Sequence, residues 1–229
     1  MAGITLIFIS CKTPDLLLSH ELKRDTVAYD VRGRQGLMIN QVLSFGPFKT
    51  SRVKRGWTQS YDIPFLLRFQ GSKERFSFTQ LCGDSLNAGV FCLGKLQSTE
   101  LELVDDYLGI SMEYENTFSG SIVFTKTNFW DFVINNPDAG YGNGEYATRG
   151  FVRSNNGQII EIIPVNRLEN HKGLKNIDNY GFEFYIESIP VAAVSAMNKG
   201  KVWLRSGLSK EQSLVLSALC SAILIKSNL

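Results

Sequence analysis

The sequence predicts a mainly β protein: a single barrel-like antiparallel sheet domain of about 12 strands, enclosing a C-terminal apolar helix. Three observations carry that prediction. Phe76-Ser-Phe78-Thr79, Trp130-Asp-Phe132-Val-Ile134 and Gly181-Phe182-Glu-Phe184-Tyr-Ile186 alternate with the period of two that a half-buried strand requires. Gly, Asn, Asp and Pro clusters, such as Asn135-Asn-Pro137 and Ser154-Asn-Asn-Gly157, punctuate such segments at roughly sandwich or barrel spacing. Residues Leu214 to Ile225 form a helical run that is apolar on every face, which only burial on all sides can satisfy.

The elements follow in order. Residues 1–22 read as a signal-like segment and tether. Ile4-Thr-Leu-Ile-Phe-Ile-Ser10 is a short apolar run ending in a small residue before Cys11. It is too short to span a bilayer, which takes about 20 residues, but long enough for an export signal. The run with its Cys resembles the end of a bacterial lipoprotein signal peptide. That resemblance implies lipidation of Cys11, which would become the mature N-terminus. The same run is β-prone, so an edge strand is the alternative. From residue 23 to 229 one domain is expected, because no linker or composition break divides the chain. Besides the three alternating segments, strands are expected at 26–32, 36–44, 49–58, 64–69, 88–96, 121–126, 147–154, 158–164, 190–197 and 200–205. The helix is expected over 209–226. Ser209-Lys-Glu-Gln212 is a capping box at its start, and Lys226 suits the negative end of its dipole.

The C-terminal third carries a second resemblance. Phe184-Tyr-Ile-Glu-Ser-Ile-Pro190-Val-Ala-Ala-Val194-Ser, then Gly200-Lys-Val-Trp-Leu204, then Leu214 to Ile225, resembles the ending of the tubby-like superfamily. That group includes tubby C-terminal domains, phospholipid scramblases and LURP-one-related proteins. The resemblance covers about fifty residues and implies a barrel around a central helix. It carries over no catalytic residue. Some members bind phosphoinositides through basic residues, which cannot be matched here position by position.

Composition excludes several classes. With 44% hydrophobic and 20% charged residues the chain is not disordered, and 229 residues can bury a core without staples. A net charge of +2 supplies no field for nucleic acid, and no basic groove interleaved with aromatics appears. Only His20 and His171 are present, and no Cys-x-x-Cys occurs, so no metal site and no cofactor are expected. Gly83-Asp84-Ser85-Leu86 spells the string of a lipase and esterase family whose serine needs a base from a late Asp-x-x-His. Leu168 stands three residues before His171, so Ser85 lacks that partner. Tyr141-Gly-Asn-Gly144 lacks the ending of a phosphate loop and reads as a loop tip. Cys82 and Cys92 read as buried thiols or as a cross-link between adjacent strands. Cys220 reads as a core thiol.

Charge is uneven. Residues 23–55 hold eight cations against Asp25 and Asp30, while residues 100–115 hold six acids and no cation. Arg52, Lys54 and Arg55 form a candidate anion-facing patch, with Arg52 and Lys54 on one face of a strand. It would meet lipid head groups or an acidic partner. Alternatively it is a solvated face that pairs with the acidic segment on folding.

The expected protein is an exported, membrane-tethered lipoprotein with a non-enzymatic binding or structural role in the bacterial cell envelope. Its expected partners are the membrane, through lipid on Cys11, and an anionic lipid or an envelope protein. The alternative is an intracellular tubby-like protein that binds anionic phospholipid head groups. A hydrolase is the third reading.

Overall fold

The computed structural model describes residues 14–35, 38–56, 74–83, 86–94, 117–135, 149–169 and 179–227. A short helix, α1 (His20–Asp25), leads into β1 (Thr26–Asp30), β2 (Ser44–Phe45), β3 (Phe48–Thr50) and β4 (Lys54–Arg55). Long hairpins follow: β5 (Glu74–Cys82), β6 (Leu86–Gly94), β7 (Thr117–Thr125), β8 (Asn128–Asn135), β9 (Arg149–Ser154) and β10 (Ile159–Val165). Then come β11 (Gly181–Ile186), β12 (Ile189–Ser195), β13 (Lys201–Arg205) and the helix α2 (Lys210–Lys226).

Twelve strands lie edge to edge in the order β1-β13-β12-β11-β10-β9-β8-β7-β6-β5-β3-β2, with β4 paired to β5 off that path. Neighbouring strands are antiparallel, from β5–β6 through to β1–β13. The two ends of the path meet where Arg32 and Ser44 exchange both backbone bonds, at 2.9 and 3.1 Å. The sheet is therefore a nearly closed barrel, and closure removes most of the exposed edge that a flat sheet would present.

Alternation decides what faces inward. Phe76 and Phe78 of β5, Phe118 and Ile122 of β7, Trp130, Phe132 and Ile134 of β8, and Phe182 and Phe184 of β11 join one core cluster. The same cluster takes in α2, whose residues Leu214 to Ile225 are all buried. The helix is apolar all round because wall surrounds it. Its polar side chains find partners both within the helix and on the wall. Ser209 Oγ accepts the Gln212 N–H and Gln212 Oε1 accepts the Ser209 N–H, each at 3.1 Å. Ser221 Oγ donates to Gln80 Oε1 at 2.8 Å, Ser217 Oγ donates to the Leu214 carbonyl at 2.9 Å, and Trp130 Nε1 donates to Glu211 at 3.1 Å. Among the described residues no helix is long and apolar enough to cross a membrane.

Several expected boundaries shift. The strand expected over 49–58 is two short pieces, β3 and β4, because residues 51–53 leave the ladder. Of the strand expected over 36–44, Ser44 is the only strand residue among those described; residues 39 and 40 form a turn and Asn40 has φ 57°. The strand expected at 64–69 lies outside the described residues.

The segment expected over residues 1–22 as a signal and tether packs onto the domain from Leu16 onward. Leu16, Leu18 and Leu22 are buried against Val165, Ala193 and Trp203 in a second, smaller cluster on the outer face of the wall. Leu17 N–H donates to the Arg167 carbonyl and Glu169 N–H to that of Asp15, at 2.8 and 2.9 Å. Lys201 holds Asp15 at 2.7 Å, and Lys23 pairs with Glu169. Gly181 makes room: a Cβ there would lie 2.9 Å from Leu16 Cδ1. Alternation turns Ala193 and Trp203 away from the barrel interior, so a second layer is needed to cover them.

Candidate anion-facing site

The patch sits where the barrel closes. The chain leaves β1, bridges to β2 through Arg32 and Ser44, and between them makes a loop that doubles back on itself. Gly33, with φ +80°, lies so close to the Val42 carbonyl that a Cβ would be 1.9 Å from its oxygen. Gln41 Nε2 donates to the Arg34 carbonyl at 3.2 Å. The segment 52–54 runs beside the base of this loop, because Val53 N–H donates to the Gln41 carbonyl at 2.9 Å.

Arg52 and Lys54 are exposed on either side of buried Val53, so they share the outer face, as their spacing implies. Two further exposed cations join them. Lys49 lies across the ladder from Ser44, and Ser44 from Arg32. Among the described residues Arg32, Lys49, Arg52 and Lys54 form no ion pair. From Val31 to Gly56 the chain holds six cations and no acid.

Arg55 does not belong to this group. It follows Lys54 in the strand and so points the other way. Its guanidinium lies 5.9 Å from the Phe76 ring centre and donates to Gln41 Oε1 at 3.0 Å. Burial lowers its pKa. Arg55 is a stacked, interior-facing residue, and the exposed patch is Arg32, Lys49, Arg52 and Lys54.

Three buried charged residues escape a reading by periodicity. Arg34, 6% exposed, donates to the Leu224 carbonyl at 3.4 Å and the Asn198 carbonyl at 2.7 Å, which places a cation at the negative end of α2. Burial lowers its pKa too. Glu183 on β11 accepts the Ser19 N–H at 2.6 Å and the Tyr185 hydroxyl, beneath the N-terminal segment. Burial first, and this carboxylate second, push the Tyr185 hydroxyl well above its ordinary pKa. Asp131 on β8 is 3% exposed, and burial raises it to about 6 although Ser121 Oγ donates to its Oδ1. Its Oδ2 is buried with no hydrogen-bond partner, as are Ser119 Oγ and Asn135 Oδ1 on the same outer face. Alternation assigns Asp131 to that outer face, which reads from sequence as solvent.

Cys11, Ser85, Tyr141 to Gly144, His171 and the acidic segment 100–115 lie outside the described residues. Cys92 and Cys220 are buried free thiols, and burial raises both. Cys82 and Cys92 do not cross-link. Cys82 lies opposite Leu86 and Cys92 opposite Phe76, six ladder positions away, which is about 20 Å at strand rise. Comparison with family models, with curated proteins and with solved structures gives no match for this chain.

Proposed function

We propose that this chain is an exported lipoprotein, tethered to a bacterial membrane through lipid on Cys11, with a non-enzymatic binding or structural role in the envelope. The observation that carries a surface-binding role is the filled barrel. With α2 occupying the interior from Leu214 to Ile225, recognition falls to the outer surface. The barrel around one apolar helix is also the architecture that the tubby-like resemblance implies, and a distant tubby-like relationship is part of the proposal. Labelling cells with a fatty-acid analogue tests the tether: the wild type takes the label and Cys11→Ala does not. Equal labelling of both would refute it.

A second reading, an intracellular tubby-like protein that binds anionic phospholipid head groups, is favoured by the four exposed cations at the barrel closure. Cell fractionation separates the two, since only the first predicts accumulation on the exported side of the membrane.

A further inference from the structure

The loop that joins β1 to β2 ends in a tip of unusual chemistry. Ile39 is 79% exposed, the largest value for any large apolar side chain among the described residues, and Met38 beside it is 44% exposed. The turn that presents them is held in shape. Asn40 takes φ 57°, and Gln41 clamps the loop base through Arg34. Ile39, at the end of a clamped loop, buries little in this molecule, and Met38 is only partly covered.

What surrounds them points to an occupant. Arg32 stands at one foot of the loop, and Arg52 and Lys54 flank the other through the Val53–Gln41 bond. Lys49 is one strand further on. The cations therefore form a collar set back from the apolar tip. An anionic bilayer asks for this depth order: apolar atoms at the acyl boundary and cations at head-group level. The N-terminal segment reaches the same rim, because Lys201, which holds Asp15, lies across the ladder from Asp30.

We propose that Met38 and Ile39 insert into the interface of an anionic bilayer, with Arg32, Lys49, Arg52 and Lys54 seated on its head groups. This rests on the reading of the protein as one that works at a membrane, and it adds a contact independent of the lipid tether.

The test uses the full chain carrying Cys11→Ser, which no acyl group can anchor, and vesicles of phosphatidylcholine alone or mixed with phosphatidylglycerol. Co-sedimentation is expected with the mixed vesicles only, falling as salt rises. Arg52→Ser with Lys54→Ser lowers partitioning about 30-fold, from ~1 kcal/mol for each cation at the surface. Met38→Ser with Ile39→Ser lowers it about tenfold while leaving the melting temperature unchanged, since both side chains are exposed. Failure of the unacylated chain to bind the mixed vesicles would overturn the proposal. So would equal binding by the Met38 and Ile39 variant, or binding that needs envelope proteins in the vesicles, which would make the loop a protein-docking site. Loss of fatty-acid labelling, by contrast, bears only on the tether.

Discussion

Replacing Asp131 by Asn should stabilise the protein at neutral pH. The carboxyl is 3% exposed, and its Oδ2 has no hydrogen-bond partner. Burial moves it from an ordinary 3.8 to about 6. The folded chain therefore keeps its proton up to about pH 6, while the unfolded chain releases it near 3.8. Between those values the folded state binds more protons, so stability falls as pH rises through the window. The contribution is fully present below 3.8 and lost above 6. Converted at 1.36 kcal/mol per pH unit, ionising Asp131 in the folded state costs about 3 kcal/mol at pH 7.5. Asn fills the same volume, keeps an oxygen for the Ser121 hydroxyl and carries no charge. Urea unfolding at pH 7.5 should place the Asn variant above wild type by about 3 kcal/mol, a midpoint shift of about 1 M. At pH 3.5 the two should agree to within about 0.5 kcal/mol. The difference between the curves isolates this one residue, because every other titrating group is shared. Arg153 is the ladder partner of Asp131 across β8 and β9. If that cation holds the carboxylate in solution, Asp131→Asn will destabilise at pH 7.5, and the reasoning fails.

Three further outcomes follow from the packing. Leu219→Ala, at a fully buried position in the middle of α2, should cost about 2–5 kcal/mol in chemical unfolding, since wall on every side limits collapse of the cavity. Arg34→Met should lower stability by about 2 kcal/mol by leaving the Leu224 and Asn198 carbonyls without their charged donor, whereas Arg34→Lys should recover part of the loss. Ser209→Ala should cost about 1 kcal/mol through the capping box, read as a fall in the thermal midpoint.

The fold was legible where one physical rule dominates. Alternation in Phe76/Phe78, Trp130/Phe132/Ile134 and Phe182/Phe184 assigned the inner face, because each strand needs only one apolar side. The capping box and the all-round apolar character of α2 gave both its start and its burial. Leu16, Leu18 and Leu22 were not legible: their partners Val165, Ala193 and Trp203 become an outer apolar surface only once the strands are paired. The patch was half legible for a related reason. Period two put Arg52 and Lys54 on one face, but the patch read from the sequence also took in Arg55, whose guanidinium lies over Phe76 and on Gln41 instead. Arg32 and Lys49 reach them only through the Ser44 ladder, a contact between chain segments that no local pattern encodes. Asp131 had no signal at all, because alternation marks a side of the sheet and not whether that side stays wet.

The closure of the barrel sets the order in which the chain can acquire its structure on leaving the ribosome. β1, made first, has its ladder partner in β13, some 175 residues later (Thr26 pairs with Arg205). The helix that fills the interior is synthesised after every strand that surrounds it. Until α2 emerges, the nascent sheet exposes an inner face of Phe76, Phe118, Phe132 and Phe184 with nothing to cover it. Pairing over such sequence separation is slow, and the waiting chain is prone to aggregate. Premature termination anywhere before residue 214 therefore leaves a sheet without its core. Such fragments are natural substrates for holding chaperones and proteases.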